Sequence, residues 1–196
     1  MISKFRIGVL VIILNFFASV AMIWGQDNPS LLQMAVPSLN IAPDARGGGM
    51  GDMGAATLPD INSQYWNAAK YAFMGSKAGV SLSYTPWLRK LVNDVALVNM
   101  TGYYKLGNSD LQAISASLRY FSLGEVNIWE NIGDVPYGLN PYEMAFDVAY
   151  SRKLSESYSM AVTLRYIRSD MGTDQNDESN AGNAFSADIS GYADYT

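Results

Sequence analysis

The chain has 196 residues and a formal net charge of −5 at pH 7. An acidic surface is repelled by nucleic-acid phosphates, so we expect no nucleic acid among its partners. The sequence contains no cysteine and no histidine, which excludes a disulfide framework, a histidine-based catalytic triad and a histidine-ligated zinc site.

Residues 1–25 predict a secretory signal peptide. The basic residues Lys4 and Arg6 precede an apolar run, 7–24, that is followed by a small residue, which is the order of regions in such a peptide. A transmembrane anchor is the alternative, but Asn15 interrupts the run and leaves it at the lower edge of a spanning length.

The segment 26–77 is expected to be an N-terminal periplasmic or plug-like segment, and its stretch 43–70 is expected to be the compact piece around which the rest of the chain is built. Its stretch 43–54 is too rich in glycine to predict a helix, and we expect Gly49 and Gly51 to allow a close backbone approach or a positive φ. The part 26–40 either stays solvated or packs against the mouth of the barrel. The plug motif is predicted to comprise Pro43, Asp44, Arg46, Gly47, Gly49, Gly51, Trp66 and Asn67.

From Gly79 onward, apolar and polar side chains alternate with a period of two, which indicates β-strands. In the clearest run, Tyr158, Met160, Val162, Leu164 and Tyr166 alternate with small or polar residues. Apolar residues of the run 95–104 fall on both faces, so its register is the least defined. The six runs are 80–85, 95–104, 113–120, 144–151, 157–166 and 185–191.

Two architectures use such strands: a soluble sandwich or barrel with an apolar interior, and an outer-membrane barrel with apolar residues outside. Several apolar stripes begin or end in tyrosine, as at the interfaces of a membrane. Charges on the opposite face would be costly in a dry core. These charges are Arg119, Asp147, Arg165 and Asp188.

The predicted connections alternate between long and short, as outer-membrane barrels require, with the long ones external. Six strands are fewer than the eight or so that close such a barrel. We therefore expect the sequence to be the first half of a longer barrel, with residues 78–196 supplying about six strands.

Patterns that could carry chemistry are weak. The run 49–54 matches GxGxxG, but Pro43 breaks the strand that should precede it. Asp147 and Asp188 could perform acid–base work if adjacent, although single charges on such a face usually hydrogen-bond to neighbouring strands. The acidic residues of 170–178 fit no calcium loop and are expected to be a solvated connection. No metal or cofactor is predicted.

The connection 124–142 is too apolar for an idle loop in water, and such a surface tends to bind a partner. The alternative is that it folds inward and constricts the lumen. The candidate contact residues are Ile128, Trp129, Ile132, Val135, Tyr137 and Leu139.

Several motifs, in order along the chain, closely resemble the PorV (LptO) family. They are NIAPDARGGGMG at 40–51, AAT at 55–57, YWNAAK at 65–70, SYTPWL at 83–88 and SASLRYFSLG at 115–124. Ala68 departs from the Asn-Pro-Ala expected in such barrels. The family is the outer-membrane shuttle of the type IX secretion system of Bacteroidetes and is related to FadL transporters.

The resemblance implies an all-β, antiparallel, FadL-like outer-membrane barrel of about 14 strands in the full protein. It implies no enzyme. It implies a shuttle that binds the C-terminal signal domain of secreted cargo at the translocon and passes it to the sortase attachment complex, within outer-membrane lipid. The alternatives are a transporter of hydrophobic small molecules, which would need an apolar lumen, and a lipid-directed enzyme, which the missing histidine disfavours.

Overall fold

The computed structural model describes residues 36–87, 94–107, 111–128, 137–171 and 181–195. Their main element is a six-stranded antiparallel sheet. Its strands are β1 (Ala78–Pro86), β2 (Val95–Leu106), β3 (Gln112–Leu123), β6 (Tyr142–Lys153), β7 (Tyr158–Asp170) and β8 (Gly182–Ala193). They are hydrogen-bonded in this order across the sheet. The prediction of an all-β antiparallel fold is confirmed, because five of the six predicted runs lie within these strands and the sixth, 157–166, begins one residue before β7.

The helical elements are short and precede the sheet. They are α1 (Ala45–Gly49), α2 (Ser63–Trp66) and two 3-10 helices, Pro37–Asn40 and Ala68–Phe73. Among the described residues, no helix has the length and apolar character needed to cross a membrane.

The two faces of the sheet have opposite chemistry, and the pattern of buried and exposed side chains is the reverse of the pattern in a soluble protein. The apolar side chains are exposed, with Leu82 72% and Phe185 82% accessible. The polar side chains on the other face are buried, including Thr101, Ser117 and Asp147. We name these the apolar face and the polar face. The alternation predicted from the sequence is therefore confirmed.

The register that was unclear from the sequence is resolved in β2. Leu97 pairs with Phe121 and is buried on the polar face, while Met100 pairs with Leu118 and is exposed on the apolar face. Tyrosines lie near both ends of the apolar face: Tyr84 and Tyr120 flank Val98 at one end. Tyr104 and Tyr150 flank Ile114 at the other.

Connections of alternating length join the strands, as predicted. The strand ends that flank the shorter ones, 107–111 and 154–157, lie at one end of the sheet, which we call the short-connection end. The strand ends that flank the longer ones, 87–94, 124–141 and 171–181, lie at the opposite end, which we call the long-connection end.

A small hairpin in the connection 124–141 was not predicted. It consists of β4 (Val126–Ile128) and β5 (Tyr137–Leu139), which form a separate two-stranded sheet. The prediction of a loop was therefore wrong for Ile128, Tyr137 and Leu139, because their backbones pair across β4 and β5. Three-residue strands are too short to show a two-residue alternation in the sequence.

The core lies where the second 3-10 helix packs against the polar face. Ala69 and Tyr71 are completely buried, and the Tyr71 ring stacks on Tyr103 of β2 at 4.9 Å between centroids. Alanines of the sheet leave the room that this helix occupies. They are Ala113, Ala149 and Ala161.

Candidate functional site

The candidate site is the contact between the polar face and residues 36–77, which we call the N-terminal segment. Its glycine-rich part forms α1, so the prediction that this stretch is too glycine-rich for a helix was wrong. Asp44 is the N-cap, and its Oδ2 accepts a hydrogen bond from the Gly47 amide at 2.8 Å. The Trp66 indole donates to Asp44 Oδ1 at 3.3 Å. These contacts outweigh the low helix propensity of glycine.

Trp66 also explains two of the glycines. A Cβ on Gly47 would lie 2.8 Å from the Trp66 ring, and a Cβ on Gly54 would overlap that ring. Gly51 has a φ of +75°, as a glycine-specific turn requires. Gly49 has neither a positive φ nor a neighbour within 4 Å of its added Cβ. The expectation of a steric requirement is therefore confirmed for Gly51 and wrong for Gly49.

The other residues of the predicted motif have structural contacts. Pro43 is buried, and Arg46 forms an exposed ion pair with Asp60 at 2.9 Å. Asn67 caps the second 3-10 helix by accepting a hydrogen bond from the Ala69 amide at 3.1 Å. The Asn67 side-chain amide also donates to the carbonyl of Gly191 in β8 at 3.0 Å. Asn67 thus links the segment to the sheet.

Lys70 was missed in the sequence and is completely buried. Its Nζ donates to the carbonyl of Gly54 at 2.8 Å and to Thr57 Oγ1 at 3.1 Å. Burial in a region of low dielectric lowers the pKa of Lys70 below the usual value for lysine. The ammonium therefore holds the glycine-rich stretch against the second 3-10 helix.

Hydrogen bonds from the polar face hold the segment along its length. At the short-connection end, Ser159 Oγ donates to the Ala69 carbonyl at 2.7 Å. Farther along, Ser115 Oγ donates to Gln64 Oε1 at 2.5 Å. The small serine side chains of the sheet thus reach backbone and amide groups that a bulky residue would keep away.

Near the long-connection end, two buried charges hold a single residue of the segment. Glu143 Oε2 accepts a hydrogen bond from the Ser38 amide at 3.0 Å, and Arg119 Nη1 donates to the Ser38 carbonyl at 2.7 Å. Glu143 is 1% exposed and Arg119 is 4% exposed. Arg119 also lies over the Tyr65 ring, 4.4 Å from its centroid. We call Arg119 and Glu143 the backbone clamp.

The clamp shows how far the segment extends. Ala113 of β3 lies in the core beside the second 3-10 helix, and Phe121 of the same strand is paired with Glu143 of the clamp. These two residues are eight positions apart, which corresponds to about 27 Å of strand. Residues 36–77 therefore contact the polar face from the short-connection end almost to the long-connection end. Of the two alternatives for the part 26–40, the solvated one is wrong at Ser38, which is buried and hydrogen-bonded to the polar face. Packing against the mouth of a barrel remains a prediction.

The other predicted charges of the polar face form an ion-pair group. Arg165 Nε lies 2.6 Å from Asp147 Oδ1, and Arg165 Nη1 lies 3.8 Å from Asp188 Oδ2. Ser117 Oγ donates to Asp147 Oδ2 at 3.0 Å. The two carboxylates share one arginine, so this group has the features of a structural ion pair and not of a catalytic acid and base.

The described residues contain no group of three or more potential metal ligands. Most of the acidic connection 170–178 lies outside the described residues, as do Trp129, Ile132 and Val135. Leu139 is partly buried and pairs with Val126, which is exposed. The assignment of partner contacts to this connection remains a prediction.

A sheet with an exposed apolar face and a buried polar face has the residue pattern of outer-membrane β-proteins. The family model described as "Type IX secretion system protein PorV" matches residues 25–195. The chain therefore belongs to the PorV family, a family of secretion-system proteins and not of enzymes. A comparison with curated proteins found no match.

Proposed function

We propose that this chain is part of an outer-membrane β-barrel that binds secreted cargo at its C-terminal signal domain. The barrel carries the cargo from the type IX translocon to the sortase attachment complex. Membership of the PorV family supports a role in this secretion system. The observation that carries the proposal is that the polar face is covered by the N-terminal segment of the same chain.

The apolar face supports the placement in the membrane. Exposed side chains such as Val80, Leu118 and Ile189 would be costly in water and are suited to lipid. In this proposal residues 1–25 are a signal peptide, 26–77 are a plug and 78–196 are part of the barrel wall. The longer connections face the cell exterior and the shorter ones face the periplasm.

The polar face favours a shuttle over a transporter. A hydrophobic small molecule needs an apolar path, whereas the buried side chains of this face are largely serine, threonine, asparagine and charged residues. The N-terminal segment also covers the face along most of the strand length through hydrogen bonds such as those to Ser38 and Ala69. Cargo is therefore expected to bind on the external surface and not inside the barrel.

The connection 124–141 is the proposed cargo contact in this part of the protein. It lies at the long-connection end, and its strands β4 and β5 pair as a two-stranded sheet. Aromatic side chains are frequent anchors of protein interfaces, and truncating one commonly costs about 2 kcal/mol or more. Trp129 and Tyr137 are the proposed anchors.

The experiment replaces Trp129→Ala and Tyr137→Ala together in the full-length protein and measures cargo on the cell surface. The expected result is cargo that accumulates at the translocon or in the periplasm. A matched control removes two exposed apolar side chains near the short-connection end, Leu111→Ala and Leu154→Ala, and should leave display unchanged.

Normal display by the folded Trp129 and Tyr137 variant would contradict the assignment of the contact to this connection. Normal display combined with a loss of fatty-acid uptake would support the transporter instead.

A further inference from the structure

The apolar face contains a groove that extends across β1, β2, β3 and β6. Its floor contains two small residues, Gly102 and Ala116, which pair with each other in the sheet register. The cavity has a volume of about 520 Å³. Larger apolar side chains form its walls, among them Met100, Tyr104, Ile114 and Leu118.

One end of this groove has a positive charge beside it. Lys77 directly precedes β1 at the short-connection end and is exposed. Its Nζ lies 6.0 Å from the centroid of the Tyr104 ring, which is part of the groove wall. The site therefore combines an apolar channel with a cation and an aromatic ring at one end.

We propose that the groove binds one phospholipid molecule, with an acyl chain over Gly102 and Ala116 and the phosphate beside Lys77. The inference rests on the proposed function, because it requires the apolar face to lie in a membrane. Charge complementarity identifies the occupant, since a phosphate pairs with the ammonium group and an acyl chain fits the uncharged floor. Tyr104 lies where tyrosine is enriched, at the level of the lipid headgroups.

The experiment uses the full-length protein in mild detergent with added phosphatidylglycerol, and native mass spectrometry counts the bound lipid. Ala116→Leu fills the groove and should lower the affinity for phosphatidylglycerol about tenfold. The larger side chain excludes roughly 55 Å² of apolar contact with the lipid, and the loss of this contact corresponds to a tenfold change in affinity. Lys77→Ala should reduce it about fivefold, the contribution of one basic residue near a lipid surface. Ala187→Leu adds the same bulk to the apolar face outside the groove and should bind like the wild type.

Diacylglycerol, which has the acyl chains but no phosphate, separates the two parts of the site. Its binding should fall in Ala116→Leu and stay unchanged in Lys77→Ala. Wild-type phosphatidylglycerol binding by both variants would overturn the inference. If the lipid site is overturned in this way while the wild-type protein is found in the outer membrane and displays cargo, the proposed function still holds. If the wild-type protein is absent from the outer membrane, both the lipid site and the proposed function are contradicted.

Discussion

Weakening the backbone clamp should release the start of the N-terminal segment from the sheet. Arg119→Met removes the charged hydrogen bond to the Ser38 carbonyl and the contact with the Tyr65 ring, and leaves Glu143 buried. A hydrogen bond to a charged group contributes about 1.5–3 kcal/mol. Local opening at Ser38 should therefore become roughly 10- to 150-fold more frequent.

A cysteine reporter measures this opening, because the natural chain contains no cysteine. Ser38→Cys keeps both clamp contacts, since they involve only the backbone N–H and carbonyl of this residue. The reaction rate of the buried thiol with a maleimide should rise by the stated factor when Arg119→Met is added. The control Arg168→Met removes an arginine that contacts Tyr142 at the other side of the sheet. Equal rates in the two variants would refute the role of the clamp.

Three further predictions test local parts of the structure. Gly51→Val should lower barrel yield or heat-resistant migration on gels, because a residue with a side chain is destabilised by about 1–2 kcal/mol at a positive φ. The control Gly49→Ala should behave like the wild type. Single cysteines at Glu125 and Glu156 test topology: an impermeant maleimide should label only the former on intact cells, and equal labelling would contradict the assigned sides of the membrane. Burial lowers the pKa of Lys70 in the folded chain below its usual value of 10.5. Between these two pKa values the unfolded chain binds more protons than the folded chain, so the free energy of unfolding should rise as the pH rises toward 10.5. Lys70→Met should flatten this rise in thermal unfolding, and an unchanged slope would mean that another group causes it.

The strands could be predicted because their signal is local. Six long runs with a period of two define which side chains share a face, and the alternating lengths of the connections follow from the same pattern. The β2 register was ambiguous because Leu97 is an apolar residue on the polar face. In the structure, Leu97 lies opposite Phe121, another buried apolar residue of that face. No local pattern shows such an exception.

The N-terminal segment could be predicted only as a compact unit, because its contacts connect residues that are distant in sequence. Glu143 and Ser38 are 105 positions apart, and nothing near either residue indicates the other. α1 was missed for the same reason, since the Trp66 side chain that packs on Gly47 belongs to a later helix. For Lys70, the YWNAAK motif was recognised, but its burial depends on the fold of the preceding glycines.

The most direct test of the central claim is to purify the full-length protein from the outer membrane in mild detergent and to identify the bound molecules by mass spectrometry. The account predicts secreted proteins that carry the type IX C-terminal signal domain, together with translocon and attachment-complex subunits. Recovery of fatty acid with no secreted protein and no secretion subunit would contradict it.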